Sequence, residues 1–387
     1  MLFSIFLGLI SALWKVAEGR LGLTVCGSHL CYQNHPIFLS GVNQAWQSYG
    51  YDFGNNQYAS RHGDLEYYIR EVAAAGGNSI RMWVHTEGQN SPKWDGQGNV
   101  IGTDPQGTLI NDLKQYLTYA GQHNIFVFLT LWNGALIQDS SNYQMQMMIK
   151  SEAKTKTYIQ NALVPMVREL KNYPALAGYD IMNEMEGVLI PNQYNQNACF
   201  DTRFLSGSGA GWAASDHNGI YYAQDLMRFI NLQAAAIRHE DGQSLVTSGG
   251  WNPRSSTNNW GQHNLYSDDC LRAAGGNHDG VLHFFSPHSY DLKDSHTFDS
   301  YSPFVHNAGD YGNGKPVVIA EFSHARGGGK PIEDLFRYAY DHGYAGAWSW
   351  HARGTGADTD DFASQKRGMS AIRGRNGAGG VINVKIY

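Results

Sequence analysis

A single α/β domain, a (β/α)8 barrel of the TIM type preceded by a β-hairpin, is what this sequence predicts. Eight short β-rich runs recur along the chain. Apolar residues at helical spacing lie between them, and no linker, internal repeat or low-complexity tract divides the 387 residues.

In chain order the runs are 36–42, 78–85, 124–132, 177–182, 244–250, 281–288, 316–322 and 344–350. Branched and aromatic residues give them strand character, as in NIFVFLTLW and PVVIAEF. Helices are predicted around Leu65, Tyr68, Ile69 and Val72, then around Leu113, Tyr116, Leu117 and Ala120. Leu163, Val167 and Leu170 repeat the spacing, as do Leu226, Phe229, Ile230 and Ala234, and 331–342 reads as a helix before the eighth run. A hairpin over 23–32 precedes the first strand and is expected to plug the barrel floor, whereas 375–387 reads as an edge strand or tail. Residues 20–387 thus form one domain. Its long loops, 187–219 and 251–280, follow the fourth and fifth strands, on the face where barrels of this kind carry their sites.

With 28 Lys and Arg against 34 Asp and Glu, the formal net charge is −6. No run of five or more basic residues is present, so no footprint for a phosphate backbone exists and nucleic acid is not an expected partner. Aromatic residues make up 13% of the chain, 10 of them Trp. Most serve the core; the rest suit a contact surface in a site.

Residues 1–19 carry an apolar run, Leu2 to Trp14, followed by small or polar residues, the shape of a secretory signal without the usual leading Lys or Arg. A membrane anchor is the rival reading, but the run falls short of the roughly 20 residues that cross a bilayer. The expectation is a secreted, extracellular monomer, plausible in digestive fluid, with no membrane association. The four cysteines then meet an oxidising environment. A two-residue turn at Ser28-His29 would set Cys26 opposite Cys31 with side chains close enough for a disulfide, leaving Cys199 and Cys270 to pair by elimination. A zinc site is the alternative, without CxxC or HxxxH spacing to support it.

Chemistry-bearing residues gather at strand ends. Asp180-Ile181-Met182-Asn183-Glu184 ends the fourth run and Ile319-Ala320-Glu321-Phe322 the seventh. A carboxylate there points into the barrel mouth, and two of them suit glycoside hydrolysis, which needs one protonated carboxyl and one ionised one. A single Glu would read as a solvated loop residue or an ion-pair partner.

Through FLSGVNQAW (38–46), NSIRMWVH (78–85), Asn183-Glu184, PHSY (287–290), VVIAEFSH (317–324) and AWSWH (347–351), the chain resembles glycoside hydrolase family 5. Within it the resemblance is to the secreted endo-β-1,4-mannanases of molluscs and other invertebrates. It implies Glu184 as acid/base, Glu321 as nucleophile, Arg81 as the partner that keeps Glu321 ionised, and Asn183 as the group that binds the sugar 2-hydroxyl. A barrel-core ion pair is the structural alternative for Arg81. His288 would approach Glu184 or the substrate, Tyr290 would orient Glu321, and Trp350 would floor the cleaved sugar, with Trp348 as fallback. Trp46, Trp83, Trp132 and Trp251 end or follow strands and are candidates for stacking on successive sugars; Asn133 and His85 are weaker candidates for hydroxyl contacts.

Several motifs are set aside. GDYGNGKP (309–316) lacks the Ser/Thr and the helix of a phosphate loop, LSGSGAG (205–211) matches neither a serine elbow nor GxGxxG, and His278, Asp279 and His283 lack metal spacing. No metal or cofactor is expected. No N-x-S/T acceptor for an N-linked glycan occurs. The resulting expectation is a retaining endo-β-1,4-mannanase acting on mannan, glucomannan, galactomannan and manno-oligosaccharides. A cellulase of the same family and a non-catalytic carbohydrate-binding barrel are the alternatives, since only the resemblance separates mannan from glucan.

Overall fold

The computed structural model describes residues 20–386 apart from 135–142, 206–220, 252, 294 and 357. The expected signal segment and all but Leu205 of LSGSGAG lie outside the described residues.

All eight runs become strands. Leu39–Ala45, Ser79–Thr86, Phe126–Asn133, Leu176–Asn183 and Leu245–Thr247 pair in parallel in that order, while Gly346–Ser349 and Val318–Ile319 extend the sheet beyond the first strand. The sixth segment, Ser286–Pro287, closes the ring. It pairs with Gly249–Gly250, the continuation of the fifth strand, and single bridges at Phe285/Val317 and His288/Glu321 join it to the seventh. The long strands are buried at every residue, as expected where helices cover one face of a parallel sheet and the barrel interior the other.

Helices Tyr58–Ala75, Leu109–Gln122, Ala223–Glu240 and Ile332–Asp341 bury the apolar faces predicted for them. The third crossover runs from Glu152–Tyr158 through a π turn into Val164–Leu170. Among the described residues the sixth crossover contains only the 3-10 turn Ala308–Tyr311. Residues 289–315 carry no apolar stripe at helical spacing and are interrupted by Pro303, so a helix there has nothing to bury.

Leu39, Phe126, Phe128, Phe284, Val318 and Trp348 fill the barrel, and Leu23, Leu30 and Tyr32 pack beneath them as the floor. Trp348 belongs wholly to this fill: it is buried, and its indole N–H donates to Ser79 Oγ at 2.9 Å. Arg20 seals the lower end against Asp241, at 3.2 Å.

Both disulfides form, Cys26–Cys31 and Cys199–Cys270. The hairpin register differs from the predicted one. Cys26 faces His29 and Cys31 faces Thr24, so the bridge runs diagonally across a Cα separation of 6.0 Å. The turn sits at Gly27-Ser28 because Gly27 takes the left-handed φ of +69° that the first central position of a tight hairpin turn requires. Cys199–Cys270 ties a 3-10 turn in the loop after the fourth strand to helix Asp268–Gly275 after the fifth.

Loop-closure entropy separates the two bridges in their effect. The sequence separations are 71 and 5 residues. Replacing Cys199 and Cys270 by Ser should therefore lower unfolding free energy by about 4 kcal/mol, against about 2 kcal/mol for the Cys26/Cys31 pair. Denaturant titration of the two double variants checks the order; a larger loss at the hairpin would contradict it.

Candidate active site

At the carboxyl ends of the strands the apolar fill gives way to a polar layer centred on Arg81, from the second strand. Its guanidinium is fully buried, and each of its nitrogens faces an acceptor. Nε donates to Asp180 Oδ2 at 2.7 Å, with Nη2 2.6 Å from the same oxygen. Nη1 donates to Asn43 Oδ1 at 2.8 Å and to Glu321 Oε1 at 2.7 Å, and Nη2 to Asn183 Oδ1 at 2.7 Å. Asn43 passes the connection on, its amide donating to the Ala320 carbonyl at 2.7 Å. Asp180 Oδ1 receives the Gly249 N–H at 2.9 Å. One cation thus links the first, second, fourth, fifth and seventh strands.

Gly249 is where backbone must pass close to this centre. A Cβ there would lie 2.9 Å from Arg81 Nη2 and 3.1 Å from His288 Nε2, so only glycine fits without moving both.

Glu184 and Glu321 face each other across the mouth. One carboxylate oxygen of each, together with a ring nitrogen of His288, falls within a mutual 4.8 Å. His288 Nδ1 shares a 2.7 Å hydrogen bond with Glu184 Oε1 and lies 3.4 Å from Glu321 Oε2. Tyr290 donates its hydroxyl to Glu321 Oε2 at 3.0 Å.

The electrostatics differ between the two carboxyls. Burial, reinforced by Glu321 and Glu186, pushes Glu184 well above the ordinary carboxylate range. Burial also pushes Glu321 up, to about 7, while Arg81 and the Tyr290 hydroxyl pull it back down. Arg81 therefore acts in the expected direction, but burial is the larger effect. Both carboxyls are thus raised, and the hydrogen bonds from Arg81 and Tyr290 offset part of that rise at Glu321. His288 is driven well below its usual value by burial and by Arg81, and stays neutral.

Of the aromatic candidates, Trp46, Trp83 and Trp350 come together, with ring centroids 5.1, 5.5 and 5.9 Å apart pairwise, and Tyr49 joins Trp46 at 4.7 Å. Trp251 is half-buried, its backbone N–H donating to buried Glu186 at 3.1 Å. Trp132 does not reach the cleft. It is fully buried, donates to Gln233 at 3.0 Å and packs on Tyr158, as does His85, whose Nδ1 is bonded to Ser91. The pairing of the second and third strands shifts register between Trp83 and Thr86, an extra residue on the second strand next to His85, and both rings pack against Tyr158. Asn133 remains in the site, accepting from Asn183 Nδ2 at 3.0 Å. Asn43, Asp180, Glu87, Tyr49 and Gly249 join it without having been singled out; of these, Asn43 and Asp180 lie inside quoted motifs.

The family model described as Cellulase (glycosyl hydrolase family 5) matches residues 36–354. Mannan endo-1,4-beta-mannosidase of Mytilus edulis is 44% identical over 360 residues, covering 93% of this chain and 94% of that protein. The enzyme of the same name from Cryptopygus antarcticus is 42% identical over 369 residues, covering 94% of each. The crystal structure of endo-1,4-beta-mannanase from Eisenia fetida superposes with a TM-score of 0.90 at 43% identity, over 94% of this chain and 99% of that one.

The raised carboxyl of Glu184 carries a stability prediction. Its folded-state pKa lies above the unfolded value of about 4.3, so the unfolded chain loses this proton first and the destabilisation grows as pH rises above that value. Glu184→Gln should unfold at a higher temperature than the parent at neutral pH, with the gap closing toward pH 4. Calorimetry at several pH values measures it, and a gap independent of pH would refute the assignment.

Proposed function

The chain belongs to glycosyl hydrolase family 5, and on that premise we propose that it is an endo-β-1,4-mannanase that hydrolyses internal β-1,4-mannosidic bonds with retention of configuration. The observation that carries the mechanism is the approach of the two carboxylates to within 4.8 Å. That spacing suits direct attack by one of them and leaves no room for the water an inverting enzyme holds between carboxyls about 6.5–9.5 Å apart.

Glu184 is the acid. Buried and protonated, it delivers its proton to the glycosidic oxygen as the bond to the anomeric carbon breaks. Glu321 is the nucleophile, and its carboxylate oxygen bonds to that carbon to give a covalent glycosyl-enzyme. Water then attacks the same carbon from the vacated side, giving its proton to Glu184 and releasing Glu321. Arg81 and Tyr290 hold Glu321 in position and favour its ionised form. Asn183 presents an amide N–H to the sugar 2-hydroxyl, a contact that strengthens as positive charge develops at the anomeric carbon. Trp350, with Trp46 and Trp83 beside it, forms the apolar floor for the sugar rings, and half-buried Trp251 is a candidate for stacking on a further sugar.

Secretion belongs to the same proposal. It is supported by the apolar segment at residues 1–19 and by the pairing of all four cysteines, which is stable outside the reducing cytosol. Among the described residues no helix is long and apolar enough to cross a membrane.

Two variants separate the roles. Glu321→Ala should abolish turnover, whereas Glu184→Ala should still form the covalent intermediate from aryl glycosides whose leaving groups need no proton. NMR of the first product anomer and reducing-end assays on galactomannan and carboxymethylcellulose complete the test. A first-formed α-anomer would overturn the nucleophile, faster release from carboxymethylcellulose would favour the cellulase reading, and release from neither would leave a binding barrel.

A further inference from the structure

Glu87 lies just past the second strand, is 3% exposed, and has no cationic partner among the described residues. A buried carboxylate held only by neutral donors is costly, so its donors and their order matter. Tyr49 donates its hydroxyl to Glu87 Oε1, Asn133 Nδ2 donates to the same oxygen at 2.6 Å, and Gln89 Nε2 donates to Oε2 at 2.7 Å. The turn that holds it is itself constrained. Thr86, a β-branched residue, has a φ of +51°, and Gln89 Oε1 accepts from the Thr86 hydroxyl at 2.6 Å and the Glu87 N–H at 3.1 Å.

The donors form a chain that ends at the catalytic centre. Asn133 uses its Nδ2 hydrogens on Glu87 and on the Tyr49 oxygen, at 2.8 Å, so the face it turns to Asn183 is its Oδ1. Asn183 meets that oxygen with Nδ2 at 3.0 Å, while its own Oδ1 is taken by Arg81. Both ends of the Asn183 amide are therefore assigned, and one Nδ2 hydrogen is left over to donate into the cleft. Were Asn133 reversed, two NH2 groups would oppose each other and Asn183 would lose its brace.

We propose that Glu87 is a positioning residue of the hydrolytic reaction: through Asn133 it fixes the Asn183 amide so that an N–H is presented to the 2-hydroxyl of the sugar being cleaved. The inference rests on the reading of Asn183 given above and adds to it the group that sets its direction. The hydroxyl contact strengthens in the transition state, so loss of the brace acts on kcat more than on KM.

The test pairs variants with substrates. An activated aryl β-mannobioside is compared with its analogue lacking the 2-hydroxyl on the sugar at the cleaved bond, using full-length enzyme and rates per folded molecule. Glu87→Leu should lower kcat on the first by about tenfold, the loss of roughly one hydrogen bond, with KM changed less than twofold and with the deoxy analogue unaffected. Glu87→Gln keeps an acceptor oxygen for Asn133 and should retain most of the activity. If Glu87→Leu does not fold, Asn133→Leu carries the same prediction through the next link. Equal loss on both substrates, while the parent enzyme discriminates between them, overturns the relay and leaves the role of Asn183 intact. A parent enzyme that turns over both substrates alike removes the 2-hydroxyl contact itself, and the inference with it.

Discussion

Everything at the mouth of this barrel depends on one buried guanidinium. Arg81 sits where a charge would be expensive unless every donor were met, and it is met by four residues from three other strands. Asp180 lies at its back and Glu321 at its front, so the cation is anchored by one carboxylate while biasing another. A Lys there would supply charge without the planar fork that reaches Asn43, Asn183 and both acids at once. The arrangement is rigid because the acceptors are themselves fixed: Asn43 by carbonyls of the seventh and eighth strands, Asp180 by the Gly249 N–H and Thr130.

Most of the scaffold was legible in the sequence because it depends on local signals. Strands buried on both faces read as continuous apolar runs, as NIFVFLTLW does, and Leu113, Tyr116 and Leu117 mark the buried face of their helix without ambiguity. The two facing carboxyls of the candidate site were legible as well, since a Glu closing an apolar strand run has few structural reasons to be there. Legibility failed where direction is decided by register. Nothing in NSIRMWVHT announces that pairing shifts between Trp83 and Thr86, where Trp83 keeps to Trp350 and His85 packs on Trp132 instead. The hairpin fails in the same way, because Gly27-Ser28 and Ser28-His29 are both acceptable turns until the left-handed φ is known. Glu87 lies just past a strand end and Asn133 is the last residue of one, where periodicity gives little guidance, and the contacts that join them to each other and to Asn183 span 46 and 50 residues.

Burial governs the chemistry as much as the fold. The apolar fill of the barrel, from Phe128 to Trp348, lies under the carboxyl pair, and the cluster of Trp46, Trp83 and Trp350 lies at its side. Taking both acids out of water raises both, and the Arg81 and Tyr290 contacts then separate them, lowering Glu321 relative to Glu184. Two chemically identical side chains sit in different environments because two hydrogen-bond donors are aimed at one of them alone. Tyr290 and Arg81 go to Glu321, and the neutral imidazole of His288 lies closer to Glu184.

The adjacency of Asn183 and Glu184 poses a geometric problem that the backbone solves. Successive residues of a strand point to opposite faces, so a regular fourth strand would aim one of the two away from the mouth. Glu184 instead leaves the strand with φ +47° and ψ +57°, a left-handed conformation that costs a non-glycine residue of order 1–3 kcal/mol. Backbone hydrogen bonds hold it there: its N–H donates to the Gly249 carbonyl at 2.8 Å, and its carbonyl accepts from Gly187 at 2.9 Å. The reversal brings the Glu184 carboxyl to the same side as the Asn183 amide, within reach of His288. Strain at one residue therefore lets a single strand end supply both a buried carboxyl and the amide beside it, and the loops that follow the fourth and fifth strands from this point are tied to each other by Cys199–Cys270.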